Sequence, residues 1–317
     1  MRESTRVEID TTTSKRSDII GSLAVLLACA CWGTAGIFIT FATNVTGISA
    51  LALAFWRDLT AFVIIALGLA LLRPGWLRVR RSDLGWLAAL GGTLGFLGVF
   101  WNLGVILNGA AVASVQQAAT PAIVALIAWL FWGEALGWSK ILAILLTFAS
   151  TVLVSGLNLF GQSKATLPGL LVGLGIPILY AGWNLLGKRA RRRYNPFTTL
   201  TYAFGFGALV LLPLQFFTPQ PWPVSPTGLL WFAALILVST LVGFTLYTFA
   251  LGRLPASVAA ILAMSEIAFA AIFAYTLLGE RLTASQLLGA MLVVGGVALL
   301  MWQRSRTPEN SQVTLGD

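Results

Sequence analysis

Along this chain, apolar runs alternate with short polar segments that are marked by Gly, Pro or Asn and carry most of the charge. A helix rises about 1.5 Å per residue, so crossing roughly 30 Å of hydrocarbon takes about 20 residues, which is the length of the runs. The pattern predicts ten membrane-spanning helices, over residues 19–42, 48–72, 84–107, 111–133, 139–159, 168–189, 196–217, 228–251, 256–278 and 284–302. The segments 1–18 and 303–317 are polar and read as solvated tails. "LLAC" at 26–29 looks like a lipoprotein cleavage box, but the apolar run continues to Ala42, so the segment is expected to stay as a first helix.

Basic residues give the helices a direction. With both termini in the cytoplasm, seventeen of the 20 Lys and Arg fall on that side: in the N-terminal tail, the 73–83 loop, Lys140, the 188–193 cluster, Arg253 and the C-terminal tail. Lys164 and Arg281 fall on the other side, and Arg57 lies within a helix. An excess of this kind marks the cytoplasmic loops of membrane proteins.

One phrase occurs twice. "WGEALGWS" at 132–139 and "LGERLTAS" at 278–285 share Gly, Glu, Leu and Ser at one spacing, 146 residues apart. At that offset Trp101 overlays Tyr247 and Gly133-Glu134 overlays Gly279-Glu280, while an offset of 148 places Trp32 on Tyr180. Self-similarity at a fixed offset signals duplication. Each copy holds five helices, an odd number, so the second must enter the membrane from the opposite face. The expected fold is therefore all-α and integral to the membrane: two inverted five-helix repeats, 19–159 and 168–302, joined by a loop at 160–167. Inverted repeats can exchange conformations and open a central site first to one side and then to the other, which predicts a transporter working by alternating access.

Composition removes other classes. A chain that is 58% hydrophobic and 10% charged, with mean hydropathy +0.87, does not dissolve as a globule. The net charge of +9 sits in the loops that orient helices, so no nucleic-acid partner is expected. There is no His, and the two cysteines, Cys29 and Cys31, point to nearly opposite faces of one helix and cannot bridge. No metal site and no cofactor are expected. No nucleophile and base stand at a recognisable spacing, so catalytic residues are not assigned and the chain is not read as an enzyme.

Two five-helix halves, each with a Trp or Tyr midway along its first helix (Trp32, Tyr180), and a Pro-x11-Gly-Glu-x-Leu pattern from Pro121 to Leu136, resemble the drug/metabolite transporter superfamily, EamA-type branch. Within it the chain is most similar to the YddG-type amino-acid exporters. The second half departs from the pattern, with Ile267 where the first has Pro121 and Glu266 where it has Thr120. The resemblance implies export of amino acids, aromatic and other neutral ones included, across a bacterial inner membrane in which lipid and the solute are the partners and the monomer functions alone. The alternative within the same superfamily is a multidrug or other small-metabolite exporter.

Polar side chains are costly in lipid and locate the candidate site. On the fourth helix, Gln116 and Thr120 are one turn apart with Gln117 between them, and Pro121, lacking an N–H, leaves the carbonyl of Gln117 without its helical partner. These groups could bind the charged ends of an amino acid or simply join helices. The sixth helix carries Tyr180 and Asn184 a turn apart, Trp183 beside them, and Pro177, which frees the carbonyl of Gly173. Trp101 and Asn102 in the third helix match Tyr247 and Thr248 in the eighth. Together with Trp32 they suggest an aromatic-walled pocket with a few polar tips. Glu266 lies well inside a predicted helix, where a carboxylate needs a proton or a partner. It could hold a substrate ammonium, carry a coupling proton or make a structural hydrogen bond. Arg57 and Asp58 are adjacent in the second helix and are expected to form a structural or gating ion contact. Gly91, Gly95 and Gly98 are expected to let helices approach closely.

Overall fold

The structure, a computed structural model, describes residues 19–117, 167–217, 225–254 and 262–279 in continuous runs, with isolated positions elsewhere. Both tails, Pro121, the predicted helices at 139–159 and 284–302 for most of their length, most of the fourth helix beyond Gln117, and the Gly133-Glu134 and Glu280 positions lie outside the described residues. What is described is helical, with no strand among the described residues. Six helices there are long and apolar enough to cross a membrane.

In chain order the elements are α1 (Ile19–Thr46), α2 (Ala50–Leu72), α3 (Leu84–Asn108), α4 (Ala110–Gln117), α5 (Leu167–Arg191), α6 (Pro196–Leu211), α7 (Pro226–Leu251) and α8 (Glu266–Phe273). Their starts follow from local chemistry. Ser49 accepts from Ala52 N–H at 3.1 Å, Asn195 from Thr198 N–H at 2.9 Å and Ser225 from Gly228 N–H at 3.0 Å. Each side chain satisfies a backbone donor that the first turn leaves open, and Pro196 and Pro226 stand where no donor is needed. Gly47 ends α1 at φ 66° and Gly279 ends the helical stretch after α8 at φ 69°, a conformation that a side chain disfavours.

α3 is the central element, packed on α2, α5 and α6. Small residues set that approach. A Cβ added to Gly91 would lie 2.8 Å from Ala203 O and 2.9 Å from Gly207 N, and one on Gly95 would lie 3.0 Å from Gly207 O. α1 meets α8 in the same way at Gly33, where a Cβ would stand 3.1 Å from Ala270 N. Large apolar side chains such as Leu67, Leu209, Leu230 and Leu237 face outward, the surface that lipid favours and water does not.

The arginine-rich end of the bundle is tied together by polar contacts. Asp83, just before α3, accepts from Tyr194 Oη at 2.5 Å, Arg193 Nη1 at 2.9 Å and Trp86 Nε1 at 3.3 Å. Burial, with the hydrogen bond to Asp83 adding to it, pushes the Tyr194 phenol above its ordinary value. Lys188 Nζ donates to the carbonyls of Leu251 and Leu254, each at 2.7 Å, and Arg191 Nε to that of Thr248 at 2.9 Å. Cations at a helix C-terminus satisfy its open carbonyls and oppose its dipole, so the end of α5 locks the end of α7.

Candidate solute site in the helix bundle

Two interruptions in the helices build the site. α4 stops at Gln117, and in the turn that follows Ala119 N–H donates to Gln116 O at 3.2 Å. The sequence leaves the Gln117 carbonyl without a helical donor because of Pro121. In the structure Thr120 Oγ1 donates to it at 2.6 Å, which occupies one of its two lone pairs. The repeat offset of 146 maps 117–119 onto 263–265, and there the 3₁₀ turn Ala263–Ser265 breaks the chain before Glu266 opens α8. Across these two breaks Gln117 Nε2 donates to Glu266 Oε2 at 2.7 Å. Glu266 is 3% exposed.

α7 contributes a third irregular segment. Leu235–Gly243 is wound as a π-helix, with Thr240 Oγ1 donating to the carbonyl five residues back, Leu235 O, at 2.9 Å. Such wide turns are rare and are frequently found at functional sites. Ser239 Oγ and Thr34 Oγ1 share a 3.0 Å hydrogen bond that ties this segment to the turn in α1.

The elements enclose a cavity of about 50 Å³. Trp32, Trp101 and Tyr180 form its aromatic side with Phe244, and Gln117 and Glu266 its acidic end. Arg57, Ser239 and Thr240 add polar groups, and Leu94, Leu97, Leu235 and Ile39 apolar wall. This volume holds a few water molecules. An aromatic amino acid would enter only if the walls part.

The wall is backed by more rings. Trp32 stands 4.9 Å from Tyr247 and 5.3 Å from Phe244, centroid to centroid, and Trp183 stacks on Tyr247 at 5.2 Å with planes 24° apart. Pairs of this kind add about 0.5–1.5 kcal/mol each beyond their buried area. Tyr247 Oη donates to Asn184 Oδ1 at 2.5 Å, and Asn184 Nδ2 to Tyr180 O at 3.1 Å.

Of the twelve residues expected from sequence, Trp32, Trp101, Gln117, Tyr180 and Glu266 border the cavity. Trp183, Asn184 and Tyr247 stand behind them. Asn102 binds α2 through Ala50 O at 3.0 Å. Gln116 accepts from Asn108 Nδ2 at 3.2 Å and packs against Gly173 of α5. Thr120 closes its own turn. Thr248 is buried where Arg191 takes its carbonyl.

Ser239, Thr240 and Phe244 were not expected. Hydroxyls in an apolar run are cheap and common in membrane helices, so they carry little signal without the π-winding that turns them inward. Arg57 did carry a signal, as a charge within a helix, but the adjacent Asp58 read as its whole explanation. The pair is present: Arg57 Nε and Nη2 both donate to Asp58 Oδ1, at 3.0 and 2.8 Å. Arg57 nevertheless borders the cavity as well.

The sequence pattern of the EamA-like transporter family matches residues 19–156 and 167–302. A probable terminal-alkyne amino-acid exporter of Streptantibioticus cattleyicolor is 26% identical over 284 residues, covering 87% of this chain and 92% of that protein. The threonine/homoserine exporter RhtA of Escherichia coli is 31% identical over 154 residues, 46% of this chain and 50% of that protein. Against several other relatives, all uncharacterised transporters, the match spans about half of their length, 45–56%. A solved crystal structure at 18% identity superposes with a TM-score of 0.65 over 90% of this chain and 98% of that one, a likeness of fold alone.

Proposed function

The chain belongs to the EamA-like transporter family and is a multi-pass membrane transporter, not an enzyme; from that premise we propose that it exports amino acids, aromatic and other neutral ones included, across the bacterial inner membrane. The observation that carries the reading is the cavity in which Glu266 and Gln117 meet beneath an aromatic wall. The carboxylate receives the substrate ammonium, Gln117 holds that carboxylate in place, and Trp32, Trp101, Tyr180 and Phe244 accept an apolar or aromatic side chain. Trp183, Asn184 and Tyr247 fix the wall from behind, while Asn102, Gln116, Thr120 and Thr248 act by holding helices. Ten helices in two inverted repeats exchange the open side, with both termini and the arginine-rich end in the cytoplasm. The names of two relatives as amino-acid exporters support the substrate class.

A second reading, export of amphipathic cations, draws on one observation. The Arg57 charge is answered by Asp58, which leaves the Glu266 carboxyl at an aromatic cavity with no cationic partner among the described residues. Counterflow of a labelled panel into proteoliposomes containing only this protein separates the two. Accumulation of neutral amino acids supports the first reading; accumulation of amines and quaternary cations with no amino acid accepted overturns it in favour of the second.

A further inference from the structure

The amino-acid reading assigns a receptor for the ammonium and none for the carboxylate, and this inference rests on it. Arg57 is 6% exposed and Asp58 fully buried, so their contact is made away from water. An arginine facing a carboxylate ordinarily uses two parallel N–H···O bonds, one to each oxygen. Here Nε and Nη2 converge on Oδ1 alone. Asp58 Oδ2 is left without a hydrogen-bond partner, and Nη1 donates to none of the described residues. A guanidinium carries five N–H donors, and among the described residues this one uses only those of Nε and Nη2 toward Asp58.

That guanidinium sits where a ligand would meet it. Arg57 and Glu266 border the same cavity, one from α2 and the other from α8. α3 makes room for the arginine at Gly98, which also borders the cavity and where an added Cβ would run into Nη2 and stand 3.0 Å from Cζ and 3.3 Å from Nη1. A cavity bordered by both a guanidinium and a carboxylate offers a partner of opposite charge to each end of an α-amino acid.

We infer that Arg57 is the carboxylate-recognising residue of the site. The Nη1 edge of its guanidinium takes the α-carboxylate while Glu266 takes the α-ammonium. Asp58 keeps the arginine oriented and compensated when no substrate is bound, which makes it a positioning residue. The site then selects α-amino acids over amines with the same side chain. A purely structural Arg57–Asp58 pair would instead affect all solutes alike.

The test compares phenylalanine with phenethylamine, which keeps the ring and ammonium and lacks the carboxylate. Counterflow of each is measured in proteoliposomes of wild type, Arg57→Gln and Arg57→Lys, with folded protein in each case verified by size exclusion and thermal unfolding. The wild type is expected to favour phenylalanine, and Arg57→Gln to shrink that preference about tenfold, the loss of one charge-assisted hydrogen bond. Should Arg57→Gln not fold, the ratio is read on Arg57→Lys, which keeps the charge but not the planar donor edge and should lose part of the preference. A folded variant whose ratio equals the wild type's, or a wild type that favours the amine, overturns the inference while the amino-acid reading stands. A wild type that accepts no amino acid removes both.

Discussion

Gln117 and Glu266, 149 residues apart, meet in a 2.7 Å hydrogen bond at the edge of the cavity. Each stands at an interruption of its helix, and the two interruptions share one register under the 146-residue repeat. A proline follows the first break and an isoleucine occupies the equivalent place in the second. The second half therefore breaks its helix without the residue that explains the first, and opens the next helix with a carboxylate. One side supplies an amide donor and the other the charge, a division that strict internal symmetry would not produce.

That contact makes a stability prediction. Replacing Gln117 by Leu leaves the buried Glu266 without its donor, which should lower stability by about 1–3 kcal/mol. Pairing it with Glu266→Leu should return part of the loss, because the apolar pair no longer leaves a carboxylate unpartnered. Thermal unfolding of the purified protein in detergent measures both; equal and additive losses in the two single variants and the double would show that the residues do not interact.

Neighbouring glycines on α3 should behave differently. Gly91→Leu places atoms against backbone at Ala203 and Gly207, whereas nothing lies within 4 Å of a Cβ at Gly92. Gly91→Leu is expected to abolish folded yield and Gly92→Leu to leave it near the wild-type level. Size-exclusion profiles of the two after expression at matched levels decide this, and similar profiles would mean that the close approach of α3 and α6 is not needed.

Orientation is tested by chemistry from outside. In a background with Cys29 and Cys31 replaced by Ala, a cysteine near Gly137 should be protected from an impermeant thiol reagent on intact cells, and one near Thr283 should react. Labelling of both would contradict two halves of opposite orientation.

How far the sequence reaches can be traced residue by residue. Trp32, Tyr180 and Trp101 stood out as ring systems within apolar runs, and Gln117 and Glu266 as polar groups too costly for lipid; these five reach the cavity. The helical character and the close approach at Gly91 and Gly95 also follow from local patterns. Other features depend on tertiary packing. Nothing in hydropathy distinguishes Tyr247, behind the wall, from Phe244, three residues earlier and in it, because the π-winding of 235–243 decides which faces inward. The carbonyl freed at Gln117 could be counted from Pro121, but the hydroxyl that takes it belongs to Thr120, whose rotamer only the fold sets. Arg57 was visible as a charge, and the way its donors are used was not, since adjacency to Asp58 accounts for the pair without indicating which oxygen is engaged.

The central claim is that Glu266 receives the ammonium of an exported amino acid, and one comparison addresses it: counterflow of labelled phenylalanine in proteoliposomes of wild type and Glu266→Gln, reconstituted at equal density. The amide keeps the shape and can still bond to Gln117, so the variant should stay folded and in the membrane. Its counterflow should fall about tenfold or more, the loss of one charge-assisted contact, and the wild-type rate should decline as acid protonates the carboxylate while the variant's stays flat. A folded Glu266→Gln protein that transports at the wild-type rate with the same pH profile would contradict the account and return the site to its aromatic and amide groups alone.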